Sequence, residues 1–312
     1  MKTKNYLFVM LIALMLSACN NTDGIIPPLD EQPITITADV IQHTRAGYQS
    51  EVLMPEEFVM DISQNGDAKF NYSLVKMKKD EGANTYSTDH DLLWADDTPH
   101  TATVKAMTIP MGLTTVDGTN VMEVNVSLQQ DVESNVVASD LLGATSASNG
   151  GITIKDSNIN IEFQHLLSKL DISYSFASEI EGESIVVNSI TLQNICTKGG
   201  YSYANMALDA TNLSYDDIAM FHSSTEDRKG TAEAIFYPYK PTEDPILVIN
   251  AKIDNVDCNF SCPVKLNNDN GFISGKRYTM NVSIIGTSVS GTTATIANGW
   301  DTNTDEESFV TE

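Results

Sequence analysis

Hydrophobic and polar residues alternate with a period of two along most of the chain, in short runs rich in β-branched residues and bounded by Asn, Asp and Gly. Such alternation predicts half-buried β-strands. The first run, ITITADV at residues 34–40, has four apolar side chains on one face: Ile34, Ile36, Ala38 and Val40. A similar run, YTMNVSI, occupies residues 278–284. Further strands are predicted at 56–61, 68–77, 102–110, 121–128, 158–164, 169–176, 185–193, 232–237, 246–254, 257–266 and 292–297.

The fold class follows from the number of these strands. The number of predicted strands is larger than one β-sandwich contains. The only pattern that weakly indicates a helix is short and falls at residues 163–170. The chain of 312 residues suits two domains of about 100–200 residues each. A break between strand-like segments falls at 164–168, after a Ser-, Asn- and Gly-rich stretch at 144–151. We therefore predict an all-β protein with an N-terminal sandwich at 46–165 and a C-terminal sandwich at 166–312.

The first residues indicate export. Lys2 and Lys4 precede an apolar run at residues 6–16, which is too short to span a bilayer but suits a signal peptide. The run ends in Leu16-Ser17-Ala18-Cys19, which is similar to a bacterial lipobox. We expect residues 1–18 to be a lipoprotein signal peptide and Cys19 to carry acyl chains that anchor the protein to the outer membrane. The alternative is an ordinary signal peptide with a chance cysteine near its cleavage site.

The charge balance excludes one class of partner. The chain has 42 acidic and 18 basic side chains, a formal net charge of -24. Nucleic-acid binding needs clustered Lys and Arg that this chain lacks. The same charge would repel anionic headgroups, so membrane attachment has to be covalent or hydrophobic.

Candidate chemistry is sparse, and we expect no enzyme activity, no metal and no cofactor. Sequence motifs of metalloproteases, serine hydrolases and nucleotide-binding proteins are missing. The tail residues Asp301, Asn303, Asp305 and Glu312 match a calcium-loop count, but Glu306 stands where glycine is required. Five histidines are scattered singly: His43, His90, His100, His165 and His222. Three cysteines beyond Cys19 are expected to be partly buried free thiols: Cys196, Cys258 and Cys262.

One basic residue stands out because arginine is scarce. The chain has three arginines, and Arg45 is the only one in the first 227 residues. It lies between the predicted strand at 34–40 and the first predicted sandwich. An Arg-specific protease cutting Arg45–Ala46 would release the lipid anchor and that strand together. The alternative is that Arg45 is an ordinary loop residue.

Several segments, in order, resemble one family. They are the lipobox, the strand ending in Thr-Arg-Ala, DLLG at 140–143 before IEFQHLLSKL at 161–170, GKRYTMNV at 275–282 and ATIANGW at 294–300. Together they resemble the fimbrillin family of Bacteroidetes, the FimA- and Mfa-like type V pilins. The family's aromatic-rich part of the first domain is represented here only by Trp94 and residues 108–111.

The resemblance implies two transthyretin-like Greek-key β-sandwich domains in tandem. It also implies removal of an N-terminal pro-segment (residues 19–45) by an Arg-specific protease, which opens a groove where Ile34, Ile36, Ala38 and Val40 had been. Polymerisation with other fimbrial subunits would follow by strand exchange, with a donor expected near residues 292–296. Adhesion to a host or bacterial surface receptor is a further implied role. Shaft, tip and anchor subunits share this architecture.

Two other functions stay open at this point. A cell-surface glycan-binding lipoprotein would also be acidic and all-β, and would need an exposed platform of aromatic side chains. The residues for such a platform are Trp94, Tyr201, Tyr203, Tyr237 and Tyr239. A secreted hydrolase would need an acid–base or nucleophile constellation that the sequence does not show.

Overall fold

A computed structural model describes residues 33–40, 54–64, 68–95, 101–145, 152–153, 158–178, 184–226 and 228–297. These residues form strands almost throughout, with one short 3-10 turn, η1 (Ala68–Phe70), and one α-helix, α1 (Glu133–Ser139). The strands of the first half are β1 (Thr35–Val40), β2 (Glu57–Gln64), β3 (Tyr72–Lys79), β4 (Thr85–Ser87), β5 (Thr101–Thr108), β6 (Met122–Asn125), β7 (Leu142–Thr145), β8 (Ile152–Thr153) and β9 (Asn158–His165).

The second half contains ten more strands. They are β10 (Ser168–Phe176), β11 (Ile185–Ser202), β12 (Ala207–Ala219), β13 (Phe221–Glu226), β14 (Lys229–Phe236), β15 (Ile246–Ile253), β16 (Val256–Pro263), β17 (Arg277–Ile285), β18 (Ser288–Gly291) and β19 (Thr295–Ala297). The prediction of an all-β protein is confirmed. None of the helices in the described ranges is long and apolar enough to cross a membrane.

The first sheet closes on itself. Its strand order is β2-β3-β4-β1-β9-β7-β5-β8, and β2 also pairs with β5. Seven strands therefore form a hydrogen-bonded ring, and β8 pairs with the start of β5. The ring encloses a hydrophobic core whose largest members include Phe58, Met60, Met77, Trp94 and Phe163.

The second half is a sandwich of two sheets. One has the order β13-β14-β10-β17-β18, with β19 also on β17, and the other has the order β12-β11-β15-β16, with β6 on β11. Alternate side chains of each strand point between the sheets, as in Leu170, Ile172 and Tyr174 of β10. They pack with residues of the facing sheet, among them Leu192 and Ile249, into one cluster.

The same connection occurs in both halves. β1 runs parallel to β9, and β10 runs parallel to β17. In each half the first strand is thus held by a strand that comes late in the same half. This structural repeat is present although no internal sequence repeat is visible.

The two halves exchange segments. Sheet membership changes between β9 and β10, which is where the boundary at residue 166 was predicted, and that boundary stays a prediction. β6 from the first half pairs with residues 198–201 of β11, and α1 packs on β14. In return, the turn between β11 and β12 reaches β5, where Lys105 Nζ donates to the Ala204 carbonyl at 2.6 Å and Tyr203 Oη donates to the Lys105 carbonyl at 3.2 Å.

Candidate functional site

β1 is held between two strands that come much later in the chain. On one side it pairs in parallel with β9 over six residues, from Thr35 opposite Asn158 to Val40 opposite Phe163. On its other side it pairs with β4, antiparallel, through Ile36–Tyr86 and one adjacent pair. β1 is therefore an interior strand of the ring, and its removal would leave two facing edges with unpaired backbone groups.

The inward face of β1 is apolar and buried. Ile34 and Val40 are each 8% exposed, and Ile36 and Ala38 are essentially inaccessible. These are the four side chains that the sequence alternation placed on one face. Their role as a removable strand stays a prediction.

Three aromatic rings lie in the core beside these side chains. Tyr86 is opposite Ile36 on the β4 side, and Phe163 is opposite Val40 on the β9 side. Phe58 of β2 contacts both rings, with ring centroids 4.8 Å from Tyr86 and 5.2 Å from Phe163. We call the seat of β1, lined by these three rings together with Ile159 and Ile161 of β9, the β1 groove.

Tyr86 is fixed within the β1 groove by its hydroxyl group. The Tyr86 Oη donates a hydrogen bond to the Pro55 carbonyl at 2.8 Å. Burial, together with a smaller effect of the nearby carboxylates of Glu56 and Asp39, raises the pKa of Tyr86 to about 12. The phenol is therefore neutral at physiological pH and acts as an apolar wall with one satisfied donor.

The outward face of β1 is polar and places two carboxylates, those of Asp39 and Glu162, opposite each other. Thr37 Oγ1 donates to Asn160 Oδ1 of β9 at 3.0 Å. Asp39 lies directly opposite Glu162 in the parallel register, and both side chains are exposed. Like charges directly opposite each other destabilise strand pairing by a few tenths of a kcal/mol to about 1 kcal/mol.

The N-terminal end of β1 is tied to residues 92–95. The Ile34 N–H donates to the Leu92 carbonyl at 2.7 Å, and Pro33 forms a bridge with Leu93. Buried Gln64 at the end of β2 holds this segment in place. Its Nε2 donates to the Leu93 carbonyl at 2.9 Å, and its Oε1 accepts from the Ala95 N–H at 2.9 Å.

A second feature lies at the C-terminal end of the described chain. β18 and β19 pair with the edge of β17 through four and three residue pairs, respectively. Between them Ala294 is fully buried, and its N–H donates to the Lys265 carbonyl at 2.6 Å. Ile296 is 43% exposed. This edge contains residues 292–296, the segment expected to be a donor.

Three of the predicted site residues, Cys19, Arg45 and Ala46, lie outside the described residues. The two other arginines are held within the second half. Arg277 of β17 forms an ion pair with Asp171 and lies in a strand paired on both sides. Arg228 adopts a left-handed backbone conformation (φ 64°) in the turn between β13 and β14, and its guanidinium donates to the Ala177 carbonyl at 3.2 Å.

The aromatic platform considered for glycan binding is contradicted by the structure. Trp94, Tyr201, Tyr203, Tyr237 and Tyr239 are between 0% and 7% exposed. Tyr237 Oη donates to the Gly200 carbonyl at 2.6 Å, which ties it to β11. These side chains fill cores because large aromatic residues contribute more buried area than any others, and they present no stacking surface.

The three cysteines in the described ranges match the prediction of buried or partly buried free thiols. Cys196 and Cys262 are buried and Cys258 is half-buried, and all three are free. Across the part of the chain that the structure describes, no three His, Cys, Asp or Glu side chains cluster as a metal site would require. The calcium-loop count at residues 301–312 lies outside the described residues.

One pair of titratable side chains was not anticipated. His165 Nδ1 lies 2.7 Å from Asp140 Oδ2 at the junction of the two halves. Burial raises the pKa of Asp140 to about 7, although the Lys169 ammonium opposes this, and burial together with that ammonium lowers the pKa of His165. The two residues are 25 positions apart, so no spacing rule connects them in the sequence.

Comparison with known proteins covers most of the chain. A family model described as fimbrillin-like matches residues 44–300. A candidate cell adhesion protein from Bacteroides uniformis superposes with a TM-score of 0.60 at 18% identity, covering 87% of this chain and 99% of that one. Another from Bacteroides ovatus gives 0.61 at 14% identity, covering 88% and 99%. A search of curated proteins finds no significant match. At such identities the solved structures show a shared fold.

Proposed function

Because the chain belongs to the fimbrillin-like family, we propose that it is a structural subunit of a cell-surface fimbria that polymerises by β-strand exchange. The observation that carries the proposal is the seat of β1. An interior strand with four buried side chains is joined to the rest of the first half through one segment, residues 41–56, and that segment contains Arg45.

The proposed pathway begins with a lipoprotein. Cys19 would hold the chain at the outer membrane, and cleavage at Arg45–Ala46 would separate residues 19–45 from the rest. β1 would then stay in place only through its pairing with β4 and β9 and through its buried side chains. A strand from another subunit could replace it, since main-chain pairing and alternate side-chain pockets are the means by which extended segments add to a sheet.

Burial of the apolar side chains of the strand contributes to the free energy of this exchange. At about 25 cal/mol per Å², seating the four apolar side chains of such a strand contributes on the order of 6 kcal/mol before ordering costs. The resident strand makes the same contribution before cleavage, so assembly would wait for its release. Cleavage would convert the intramolecular pairing of β1 into a bimolecular one. A strand of a neighbouring subunit could then compete with β1 for the same seat.

The donor in this proposal comes from the β18–β19 edge. Both strands are short and lie at the border of their sheet, so their loss would leave β10, β14 and most of the core intact. Residues 292–296 in particular join one buried and one exposed apolar side chain. An edge that pairs through so few residues can detach with a smaller free-energy cost than an interior strand.

Charge favours a specific joint over lateral association. Residues 1–45 contain four of the 42 acidic and three of the 18 basic side chains, which leaves 38 against 15 and a net charge of -23. Subunits with this charge repel one another except where specific contacts hold them. A linear polymer joined by strand exchange satisfies that condition.

Adhesion is part of the proposal as a role of the assembled fimbria. The proteins from B. uniformis and B. ovatus with the same fold are described as candidates for cell adhesion. Shaft, tip and anchor positions differ in whether the donor edge is free to leave, and the β18–β19 edge supports a subunit that donates as well as accepts.

The test is limited Arg-specific proteolysis of the chain lacking its signal peptide and Cys19. We expect one cut at Arg45–Ala46, read by intact mass, followed by SDS-resistant ladders. The Arg45→Ala variant is the matched control and should give neither. Cleavage at Arg228 or Arg277 in preference to Arg45 would overturn the processing step, and a single cut without ladders would overturn polymerisation.

A further inference from the structure

Within the described ranges, four strands lie at the borders of the second sandwich. They are β12 and β16 in one sheet, and β13 and β18 in the other. An edge strand offers unpaired N–H and C=O groups to any extended chain, and proteins block such edges with short strands, bulges, charges or proline. β18 is short, β13 contains a register shift, and β12 contains three register shifts and three aspartates. These three edges are therefore protected against pairing.

β16 lacks such protection over most of its length. It pairs with β15 through eight consecutive residue pairs without a register shift. Its one charged side chain is Asp257, whose carboxylate lies 3.8 Å from the ammonium group of Lys252 on β15. On its other side, β16 pairs with no strand in the part of the chain that the structure describes. β16 is therefore a long, regular and locally neutral edge.

The unpaired backbone groups of β16 belong to alternate residues. The Val264 N–H, directly after the strand, donates to the Pro245 carbonyl at 2.8 Å, so the backbone groups of Val264 point toward β15. In an antiparallel ladder this orientation alternates along the strand. The N–H and C=O groups of Asp257, Asn259 and Ser261 consequently point away from β15.

The stretch of β16 that can accept another strand is symmetric about Asn259. At one end it is limited by the two-residue turn of Asp254 and Asn255, which both adopt the left-handed conformation (φ 48° and 66°). At the other end Pro263 has no N–H to donate. Residues 256–262 lie between these limits, and Asn259 is their central residue. A second β16 laid antiparallel along this stretch therefore matches it over its whole length.

We infer that β16 is a pairing surface for a second copy of this chain, and that the two β16 strands run antiparallel with Asn259 opposite Asn259. Each outward N–H then meets a carbonyl, since Asp257 of one copy lies opposite Ser261 of the other. The two sheets join into one continuous sheet across a two-fold axis. This pairing lies apart from the seat of β1 and needs no cleavage, so it goes beyond the proposed function.

An exposed apolar side chain supports this pairing. Val256 at the start of β16 is 63% exposed, more than any other large apolar side chain that the structure describes. In the inferred register Val256 lies opposite Cys262 of the second copy. That position is not hydrogen-bonded, and side chains approach most closely at such positions. Pairing therefore covers Val256 in both copies.

Other registers use fewer of the outward groups. A shift of one residue brings the outward groups of one copy opposite residues whose own groups point toward β15, so no ladder forms. A shift of two residues in one direction places Pro263 opposite Asp257, where a donor is missing. The shift in the opposite direction places Ser261 opposite Asn255 of the turn, whose left-handed backbone does not continue the strand.

The experiment measures self-association of the uncleaved chain. Sedimentation velocity is recorded at about 0.2 mM protein for the chain without its signal peptide and Cys19, carrying Arg45→Ala so that strand exchange does not contribute. A small interface between two acidic copies associates weakly, so we expect a dimer whose fraction rises as salt increases from about 0.05 to about 0.5 M. A chain that stays monomeric under both conditions would overturn the inference and leave the proposed function untouched.

Opposite charges at Asn259 provide a sharper test. Asn259→Lys and Asn259→Asp each place like charges opposite each other on an exposed face, and each should weaken the dimer about fivefold. An equimolar mixture of the two variants should recover a dimer that contains one copy of each, as seen by native mass spectrometry. Ala210→Lys, an exposed residue of edge strand β12, is the matched control and should leave the dimer unchanged. Equal weakening in this control, or no recovery in the mixture, would show that Asn259 does not lie at the axis.

Cross-linking tests the register. Residues that form a hydrogen-bonded antiparallel pair have Cα atoms about 5.5 Å apart, which a disulfide can span. Oxidation of the Asn259→Cys variant with diamide should therefore yield a covalent dimer. Asp257→Cys and Ser261→Cys should each cross-link poorly alone but should link to each other when the two variants are mixed. Cross-links through the native Cys258 in their place, identified by peptide mass mapping, would overturn the inferred register.

Discussion

Gln130 and Ile235 exchange two hydrogen bonds across the junction between the two halves. The Gln130 Nε2 donates to the Ile235 carbonyl at 2.7 Å, and the Gln130 Oε1 accepts from the Ile235 N–H at 2.9 Å. Both residues are buried. The side-chain amide thus pairs with the edge of β14 beyond Phe221–Glu233, the last pair that β14 makes with β13.

Replacing this amide with an isosteric apolar group should destabilise the whole chain. Gln130→Leu leaves the N–H and carbonyl of Ile235 buried and unpaired, at about 1–3 kcal/mol for each group. We expect urea denaturation to show a loss of about 2–5 kcal/mol. Gln129→Leu, an exposed neighbour, is the control and should change stability by no more than about 0.5 kcal/mol. Equal losses in both variants would contradict this account.

Relief of the repulsion between Asp39 and Glu162 should hold β1 in its seat. Asp39→Asn or Glu162→Gln should slow release of the N-terminal fragment after cleavage by about 1.5- to 5-fold, equivalent to roughly 0.2–1 kcal/mol. The double variant should gain no more than either single one. Dissociation measured at low salt and at about 0.5 M salt should show the difference disappearing as the charges are screened. Additive effects would mean that the two carboxylates act independently.

The pair Asp140 and His165 should give opposing pH dependences. The raised pKa of Asp140 stabilises the folded state at low pH, and this contribution is lost as pH rises from about 4 to about 7. The lowered pKa of His165 contributes stability above about 6.5 that is lost as pH falls through the unfolded-state value. Between pH 5 and 6.5 the contributions of Asp140 and His165 to folding stability therefore change with pH in opposite directions.

Single substitutions should separate the pH dependence of stability due to Asp140 from that due to His165. Relative to the native chain, Asp140→Asn should lose stability as pH falls from 7 to 5, by at most about 1.4 kcal/mol per pH unit. His165→Gln should show the opposite trend, with stability increasing as pH falls. Thermal unfolding across this range provides the measurement, and His222→Gln, a residue away from the junction, is the control. Parallel curves for both variants would show that the pair does not titrate as described.

Thiol labelling should report departure of the β18–β19 edge. Cys262 Sγ lies 3.3 Å from where a Cβ on Gly291 of β18 would be, and burial raises the pKa of the Cys262 thiol. In the monomer, iodoacetamide should modify half-buried Cys258 first. In the polymer Cys262 should become reactive. Cys196, on β11 and with its pKa raised to about 11 by burial, should stay protected in both states and serves as the internal control. Unchanged protection of Cys262 in polymers would argue against this edge as the donor.

The alternating segments were predictable because a period of two decides which face of a strand is buried. β1, β9 and β17 follow this rule with hardly an exception. β12 escaped prediction because it is a long edge strand, exposed over most of its length, and carries polar residues on both faces. The helix α1 is short and lies in a stretch for which no helix or strand was predicted.

Tertiary packing explains two further differences. β11 continues to Ser202 through Gly199 and Gly200, although glycine pairs usually indicate a turn. A Cβ at Gly199 would lie 2.2 Å from the ring of Tyr237, so glycine is required there for close packing of that ring. Similarly, the contact between Phe58 and Tyr86 beneath β1 can be predicted only when the strand order and the register are known. The inward residues of β1 were readable from the sequence, whereas the rings that they face were not.

The parallel pairing of β1 with β9, the first and last strands of the first half, also limits the order in which this half can fold. Thr37 and Asn160 are hydrogen-bonded across a separation of 123 residues, so the first ring cannot close until β9 has been synthesised. At ~5–20 residues per second this delay is on the order of 10 s, and pairings of such long range form slowly in any case. β1 therefore lacks its longer pairing partner, β9, for the whole interval in which the residues between the two strands are synthesised. The long-range pairing that fixes β1 in the finished protein is thus also the pairing for which the growing chain waits longest.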